Sequence, residues 1–170
     1  GLDDLLPHAD VRLRHQLVVA APPDRVWRAL KATTLREMPL VWLLFALRSL
    51  PARLTRTGSL PSALDEPLFT QMAAAGFALL AEDPGRELVV GRVGQMWKLR
   101  GGRTAAVGNG SDFVAFDRPG YVKAAMSFRV TGREGGSQVE TETRTLATDP
   151  ASRRRFASYW HLIRLGSGAI

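Results

Sequence analysis

The histidines and the missing cysteines limit the metal chemistry open to this chain. His8, His15 and His161 do not stand at the H-x-x-x-H or H-E-x-x-H spacing of a metal-binding helix. The sequence contains no cysteine, which removes disulfides, thiolate nucleophiles and cysteine-based zinc or iron sites. We therefore expect no metal ion and no cofactor.

Glycine-rich stretches of the sequence resemble catalytic or phosphate-binding motifs without completing them. The stretch Gly135–Val139 approaches the G-x-S-x-G nucleophile elbow, but it lacks the last glycine and falls between two strand-like segments. Gly101–Thr104 and Gly108–Ser111 lack the lysine followed by serine or threonine that a phosphate-binding loop requires. We interpret all three stretches as turns.

Acid–base chemistry has two candidate locations. His15 falls on the apolar face of the first strand-like segment, where an imidazole could bind a ligand or act as a general base. A buried histidine satisfied by neighbouring groups is the favoured interpretation. Glu140, Glu142 and Arg144 alternate along a later strand. The strand register derived below turns them away from the interior, so we expect a solvated ladder of ion pairs.

Length and composition are those of an ordinary globular domain. The chain has 170 residues, of which 45% are hydrophobic and 23% charged, so residues 1–170 suit a single domain with a sizeable core. No stretch has the order of a signal peptide. The apolar run Leu40–Leu47 is far shorter than the about 20 residues that cross a bilayer. We expect a cytoplasmic protein without a transmembrane segment, and peripheral membrane contact stays open.

The formal net charge of +7 raises the question of nucleic-acid binding. The basic residues are scattered from Arg12 to Arg164 and form no stripe between aromatic residues, which disfavours that function. Arg153–Arg155 open the last predicted helix, and we interpret them as a solvated face, with a partner or an anionic lipid head as the alternative. Oligomeric state stays open.

The first half of the chain predicts one strand followed by helices. Val11–Val19 alternates in the period of a half-buried strand, and Pro22 and Pro23 open a helix with apolar positions at Val26, Ala29 and Leu30. A second helix is predicted over Leu35–Leu47, and Pro51–Pro67 reads as an irregular connection. Phe77–Ala81 and Glu87–Val93 predict a hairpin, with further short strands at Met96–Leu99 and Phe113–Phe116.

The strongest pairing signal lies in two alternating segments, Val122–Val130 and Val139–Thr145. Closing the hairpin with Thr131 opposite Gln138 places Phe128 opposite Thr141 and Met126 opposite Thr143 on the inner face. The same register places Arg129 opposite Glu140 on the outer face, as an opposite-charge pair. The inner face of the last strand is then lined by threonines, where a filled core would prefer bulky aliphatic residues.

The chain closes with a predicted amphipathic helix. Asp149 and Pro150 supply its N-cap and first turn, and Gly166 stops it. Together these elements predict an α+β helix-grip fold, in which a curved antiparallel sheet wraps around a long C-terminal helix, with short helices after strand one.

Three segments resemble the START-like superfamily, also called the SRPBCC or Bet v 1-like group, and the final third of the chain resembles an uncharacterised bacterial branch of it. The segments are VAAPPDRVWRAL (Val19–Leu30), DFVAFDRPGYVKAA (Asp112–Ala125) and VETETRTLATDPASRRRFASYWHLIR (Val139–Arg164). The resemblance implies a helix grip with a deep apolar cavity between sheet and helix. Members carry lipids, sterols, hormones or pigments, and some cyclise polyketides, so the fold alone selects no function. The stretch between Leu35 and Gln71 is long for a compact member.

We therefore expect non-catalytic binding or transport of a hydrophobic small molecule such as a lipid, a sterol or a polyketide-like compound. The alternatives are a cyclase-like or hydrolase-like enzyme that uses polar groups such as His15, and a partner-binding scaffold. No catalytic residue is assigned. The expected ligand-binding residues are His15, Trp42, Phe45, Phe77, Trp97, Met126, Phe128, Thr141, Thr143, Phe156 and Trp160.

Overall fold

A computed structural model describes residues 1–34, 65–98 and 101–167 of the chain, with only the backbone from residue 161 onward. These residues form an α+β fold. The strands are β1 (Val11–Val19), β2 (Ala78–Asp83), β3 (Glu87–Gly94), β4 (Thr104–Ala105), β5 (Val122–Arg133) and β6 (Gly136–Ala147). The helices are α1 (Leu2–Leu5), α2 (Pro23–Ala32), α3 (Leu68–Ala74), α4 (Gly110–Ala115) and α5 (Pro150–Ser167).

Within the described residues the strands form one curved, antiparallel, six-stranded sheet in the order β1-β6-β5-β3-β2, with β4 paired to the end of β3. The β5–β6 hairpin has the predicted register. Thr131 pairs with Gln138, Phe128 with Thr141, and Arg129 with Glu140. Both strands extend further toward the turn than the alternation predicted.

Several elements of the first half are also confirmed. β1 has the predicted bounds, and α2 begins at Pro23, where its ring presets the first-turn backbone angle and no amide hydrogen is needed. The β2–β3 hairpin is present as well. The predicted helix Leu35–Leu47 lies outside the described residues. α3 had no counterpart in the sequence analysis. Its first amide, that of Leu68, donates to the Thr33 carbonyl at 2.8 Å and so joins α3 to the end of α2.

Two predicted short strands are wrong. Met96–Lys98, the described part of Met96–Leu99, forms a turn, and β3 pairs instead with Thr104–Ala105. Phe113–Phe116 was predicted as a strand from its aromatic and β-branched residues, but Gly110–Ala115 is helical. The side chain of Asn109 caps this helix by accepting the Asp112 amide hydrogen at 2.9 Å. Capping and the burial of Phe113 therefore outweigh β-propensity here.

Helices pack against both faces of the sheet. We call the face covered by α2, α3 and α5 the inner face, and the face covered by α1 and α4 the outer face. On the outer face, Leu2, Leu6 and Phe113 are buried against Val89, Val93 and Ala125.

The start of β6 meets the end of β1 so closely that only glycine fits. A Cβ at Gly136 would collide with the carbonyl oxygen of Val19, which is a backbone atom and cannot rotate away. We therefore expect Gly136→Ala to lower the free energy of unfolding by about 1–3 kcal/mol, measured by denaturant titration. Gly132→Ala in the same hairpin is the control, because its Cβ meets only the side-chain Cγ of Pro23, at 3.3 Å. Equal effects of the two substitutions would contradict this account.

Candidate functional site

Cross-strand rows of side chains run over the inner face and bring several predicted site residues together. One row consists of His15, Thr141, Phe128 and Leu88, and the next of Leu13, Thr143, Met126 and Val90. Neighbouring rows lie about two residues apart along each strand, so these side chains share one continuous surface. His15, Met126, Phe128, Thr141 and Thr143 were all assigned to this surface from the alternation of the sequence.

The half of the inner face on β3 and β5 is filled. Val26 and Trp27 of α2 and Leu68 and Met72 of α3 are buried against Leu88, Val90, Phe128 and Val130. Phe69 packs edge-on against Phe128, with ring centroids 5.1 Å apart. Phe77, another predicted site residue, packs against the same cluster. These side chains form a core, and they leave little room for a ligand.

The half on β1 and β6 is different, and we call it the hydroxyl half. Its residues are Leu13, His15, Leu17, Thr141 and Thr143. Leu17 is 55% exposed and His15 is also exposed, while the two threonines are half-buried. The interpretation of His15 as a buried, satisfied histidine is therefore wrong. Apolar surface next to accessible hydroxyls and an imidazole can hold an apolar molecule and hydrogen-bond to it.

Aromatic side chains gather at the α5 end of the inner face, and we call Trp97, Phe156, Tyr159 and Trp160 the aromatic cluster. Phe156 is buried with Val122 and Ala147, and the other three pack against this group together with Val11. The ring centroids of Phe156 and Trp160 are 5.9 Å apart. Phe156 and Trp160 stand with Met126 and Phe128 among the expected ligand-binding residues, so all four are expected at one site. The structure places Phe156 and Trp160 instead in a separate cluster nearer the end of the sheet.

Trp42 and Phe45, also predicted to bind ligand, lie outside the described residues. Thr145 is a residue that the list of predicted site residues missed. It belongs to the inner face, one row beyond Thr143, and its side chain is almost fully buried. Its hydroxyl has no hydrogen-bond partner within the part of the chain that the structure describes. The alternation of β6 could have identified its position but not its missing partner.

Asp149 positions α5 over the sheet. Its carboxylate accepts hydrogen bonds from the Ser152 hydroxyl and the Gly120 amide, both at 2.6 Å, and from the amides of Ala151 and Ser152, both at 2.9 Å. The predicted N-cap is therefore confirmed, and it also ties the helix to the loop before β5. The Ser152 hydroxyl, followed by the Gly120 amide, holds the pKa of Asp149 well below its ordinary value.

Glu140, Glu142 and Arg144 lie on the outer face, as the register predicted, but the expectation of a solvated ladder is wrong. All three are buried. Arg144 donates to Glu142 and Asp3, both at 2.6 Å, and to the Leu6 carbonyl at 2.9 Å. The reason is tertiary, because the N-terminal segment from Asp3 to Leu6 lies against Arg144, and side chains of β1 lie against the two glutamates. Arg144 thereby joins α1 to the sheet.

Glu140 is compensated in a similar way. Arg14 and Gln16 on the neighbouring strand each donate to its carboxylate at 2.6 Å. Burial by itself raises the pKa of Glu140, but these hydrogen bonds and the charges of Arg14 and Arg129 outweigh it. The pKa therefore lies below its usual value. A carboxylate held ionised by its partners does not suit general-acid chemistry, so we assign these outer-face charges to stability.

Two absences hold for the described residues. Nowhere in 1–34, 65–98 or 101–160 do three or more histidine or carboxylate side chains converge in a way that could hold a metal ion. Of the helices described, none combines the length and the apolar character needed to span a membrane. The exposed arginines Arg153–Arg155 agree with the predicted solvated face, with Arg153 paired to Asp10 at 2.8 Å.

Comparison with known proteins finds a loose structural likeness and no match in sequence. No protein-family model matches the chain, and no curated protein sequence matches it. Among solved structures, the crystal structure of CalU16 from Micromonospora echinospora is similar at 14% sequence identity and a TM-score of 0.35. The match covers 93% of this chain and 74% of that one. A likeness of this degree identifies neither a family nor a function.

Replacing Arg144 tests the structural assignment of the outer-face charges. Arg144→Met should lower the free energy of unfolding by about 3 kcal/mol, because it leaves the buried carboxylate of Glu142 without its closest cation. Arg129→Met is the control, since Arg129 is half-exposed and its loss should cost well under about 1 kcal/mol. Denaturant titration measures both. Comparable losses for the two variants would show that burial of Arg144 is not what matters.

The lowered pKa of Asp149 predicts a pH-dependent contribution to stability. A carboxyl whose pKa falls on folding stabilises the fold above its unfolded pKa of about 3.9, and that contribution is lost as the pH falls through the folded pKa. Asp149→Asn keeps a capping oxygen but loses the charge. We expect it to lower the melting temperature by a few degrees near neutral pH. The gap to wild type should narrow in acid, and a gap independent of pH would contradict the assignment.

Proposed function

We propose that residues 1–170 form a START-like helix-grip domain that binds a hydrophobic small molecule, without catalysis, on the inner face between the sheet and α5. The proposal rests on the unequal filling of that face. Its β3 and β5 half is closed by α2 and α3, whereas the hydroxyl half keeps accessible apolar and hydroxyl groups side by side. The resemblance of three sequence segments to that superfamily supports the same function.

Two features of the hydroxyl half are costly in the ligand-free protein, and a bound ligand would compensate for both. A half-open sheet face with Leu17 at 55% exposure loses part of the hydrophobic stabilisation of about 25 cal/mol per Å² that full burial would give. A threonine on the inner face likewise makes fewer apolar contacts than a valine would, because a hydroxyl replaces one methyl group. An apolar ligand with a few polar atoms would restore the lost hydrophobic stabilisation by covering the leucines, and it would form hydrogen bonds with the threonine hydroxyls.

A catalytic function is the second candidate, and the accessibility of His15 favours it. The imidazole is exposed and lies directly across from Thr141. It has no hydrogen-bond partner among the described residues, so it is available to accept a proton from a bound molecule. A cyclase-like or hydrolase-like reaction would use His15 in this way. Such an enzyme would need a group that orients the imidazole, and none of the described residues does so.

The test is a thermal-shift panel of sterols, fatty acids and aromatic polyketides, with native mass spectrometry of protein purified from its source. We expect at least one class to raise the melting temperature and a small molecule to be retained. Thr143→Phe should abolish the shift, because a phenyl ring fills the hydroxyl half. Thr131→Phe is the matched control, since Thr131 is an exposed residue of the outer face of β5.

Three results would change the proposal. A mass change in a bound compound would favour the enzyme. A shift that survives in Thr143→Phe but not in Thr131→Phe would move the site to the other face of the sheet. A panel that neither binds wild type nor shifts its melting temperature would leave a partner-binding scaffold as the better description.

A further inference from the structure

The hydroxyl of Thr145 is the polar group that the fold leaves least explained. The residue is 3% exposed, and its buried Oγ1 has no hydrogen-bond partner in residues 1–34, 65–98 and 101–160. Buried polar atoms in folded proteins are satisfied in the large majority of cases, and an unsatisfied one is costly. Valine has the same shape and carries no such cost. A threonine at this position therefore suggests a role for the hydroxyl in a second state of the protein.

Among the described residues, the surroundings of Thr145 supply no hydrogen-bond partner for its hydroxyl. Its cross-strand neighbours on the inner face are Val11 and Ala124, and Ala147 follows on the same strand. Val11 and Ala147 also belong to the group that contacts the aromatic cluster, so α5 covers this end of the sheet. The neighbours are apolar, and two of them are alanines. A modest displacement of the aromatic cluster would therefore uncover a hydroxyl on an otherwise apolar surface.

Thr145 continues the row of hydroxyls that Thr141 and Thr143 begin. The three alternate along β6 on the inner face, from the accessible middle of the sheet to its covered end. An elongated ligand in the hydroxyl half therefore points one end toward Thr145. We infer that Thr145 is the specificity-determining anchor of this site and that it selects hydrophobic ligands with an uncharged hydroxyl or carbonyl oxygen at that end. This inference rests on the proposed binding function.

The charge of the ligand's end group determines whether that group can lie beside Thr145. A threonine hydroxyl can donate to a carbonyl or a hydroxyl and can also accept from a hydroxyl. A carboxylate in the same place would be surrounded by Val11, Ala124 and Ala147, and burying an unpaired charge is far more costly than burying a bonded hydroxyl. Arg92 lies on the same cross-strand row but two strands away, and it donates to Thr104 at 2.6 Å. The geometry therefore favours alcohols, phenols and ketones over acids.

Matched probes test the inference: naphthalene, naphthol and naphthoate form one series, and decane, decanol and decanoate the other. Dissociation constants are measured for wild type, Thr145→Val, Thr145→Ser and the outer-face control Thr131→Val. We expect wild type to bind the alcohol or phenol about fivefold tighter than the hydrocarbon, with the acid weakest. Thr145→Val should lose the preference for the hydroxyl, while Thr145→Ser and Thr131→Val should keep it.

The melting temperature of the ligand-free protein gives an independent readout. Thr145→Val should melt at or above the wild-type temperature, because it removes an unpaired hydroxyl and keeps the shape. A clearly lower melting temperature would mean that the hydroxyl is already bonded in the free protein, and would overturn the inference. Equal binding of alcohol and hydrocarbon by wild type would overturn it and leave the proposed function standing. Failure of every probe to bind would overturn both.

Discussion

The pairing of β5 with β6 is the constraint on which the other features depend. Twelve residue pairs join the two strands without a register shift, from Val122 with Ala147 to Arg133 with Gly136. Side chains alternate with period two, so a slip by one residue would turn the threonines of β6 outward and its glutamates inward. The same pairing places both neighbours of the hairpin, since β1 adds to β6 and β3 adds to β5.

The two faces of the sheet carry side chains of different chemistry. On the outer face, the buried charges of Arg144, Glu142 and Glu140 must be paired. Arg144 donates hydrogen bonds to Glu142 and to the N-terminal segment, and β1 donates to Glu140. Such networks tie elements together, because each partner lost would leave a buried charge behind. On the inner face of β1, β5 and β6, the side chains are apolar groups, hydroxyls and the His15 imidazole. The buried charges and the proposed binding surface therefore lie on opposite faces of one sheet.

The inner face is itself divided along its width. α2 and α3 fill the side over β3 and β5, and the aromatic cluster of α5 covers the far end. What remains is a strip along β1 and β6 that runs from exposed Leu17 to buried Thr145. Accessibility falls and the surroundings become more apolar along this strip. A ligand bound there would meet accessible polar groups first and the covered hydroxyl last, which is why the covered end is the better place for discrimination.

The sequence alone determined the strands and helices with strong periodicity, their hairpin register and the face on which each alternating residue lies. It did so because a period of two or a proline-led helix start is a local property of the chain. Only the tertiary structure decided which of those residues are buried. Arg144 became buried because the N-terminal segment folds over it, and His15 became exposed because nothing among the described residues covers it. Phe113 joined a helix because its cap and the outer core outweighed local propensity. Burial depends on elements that are distant in sequence, so a local pattern does not predict which element covers a given face of the sheet.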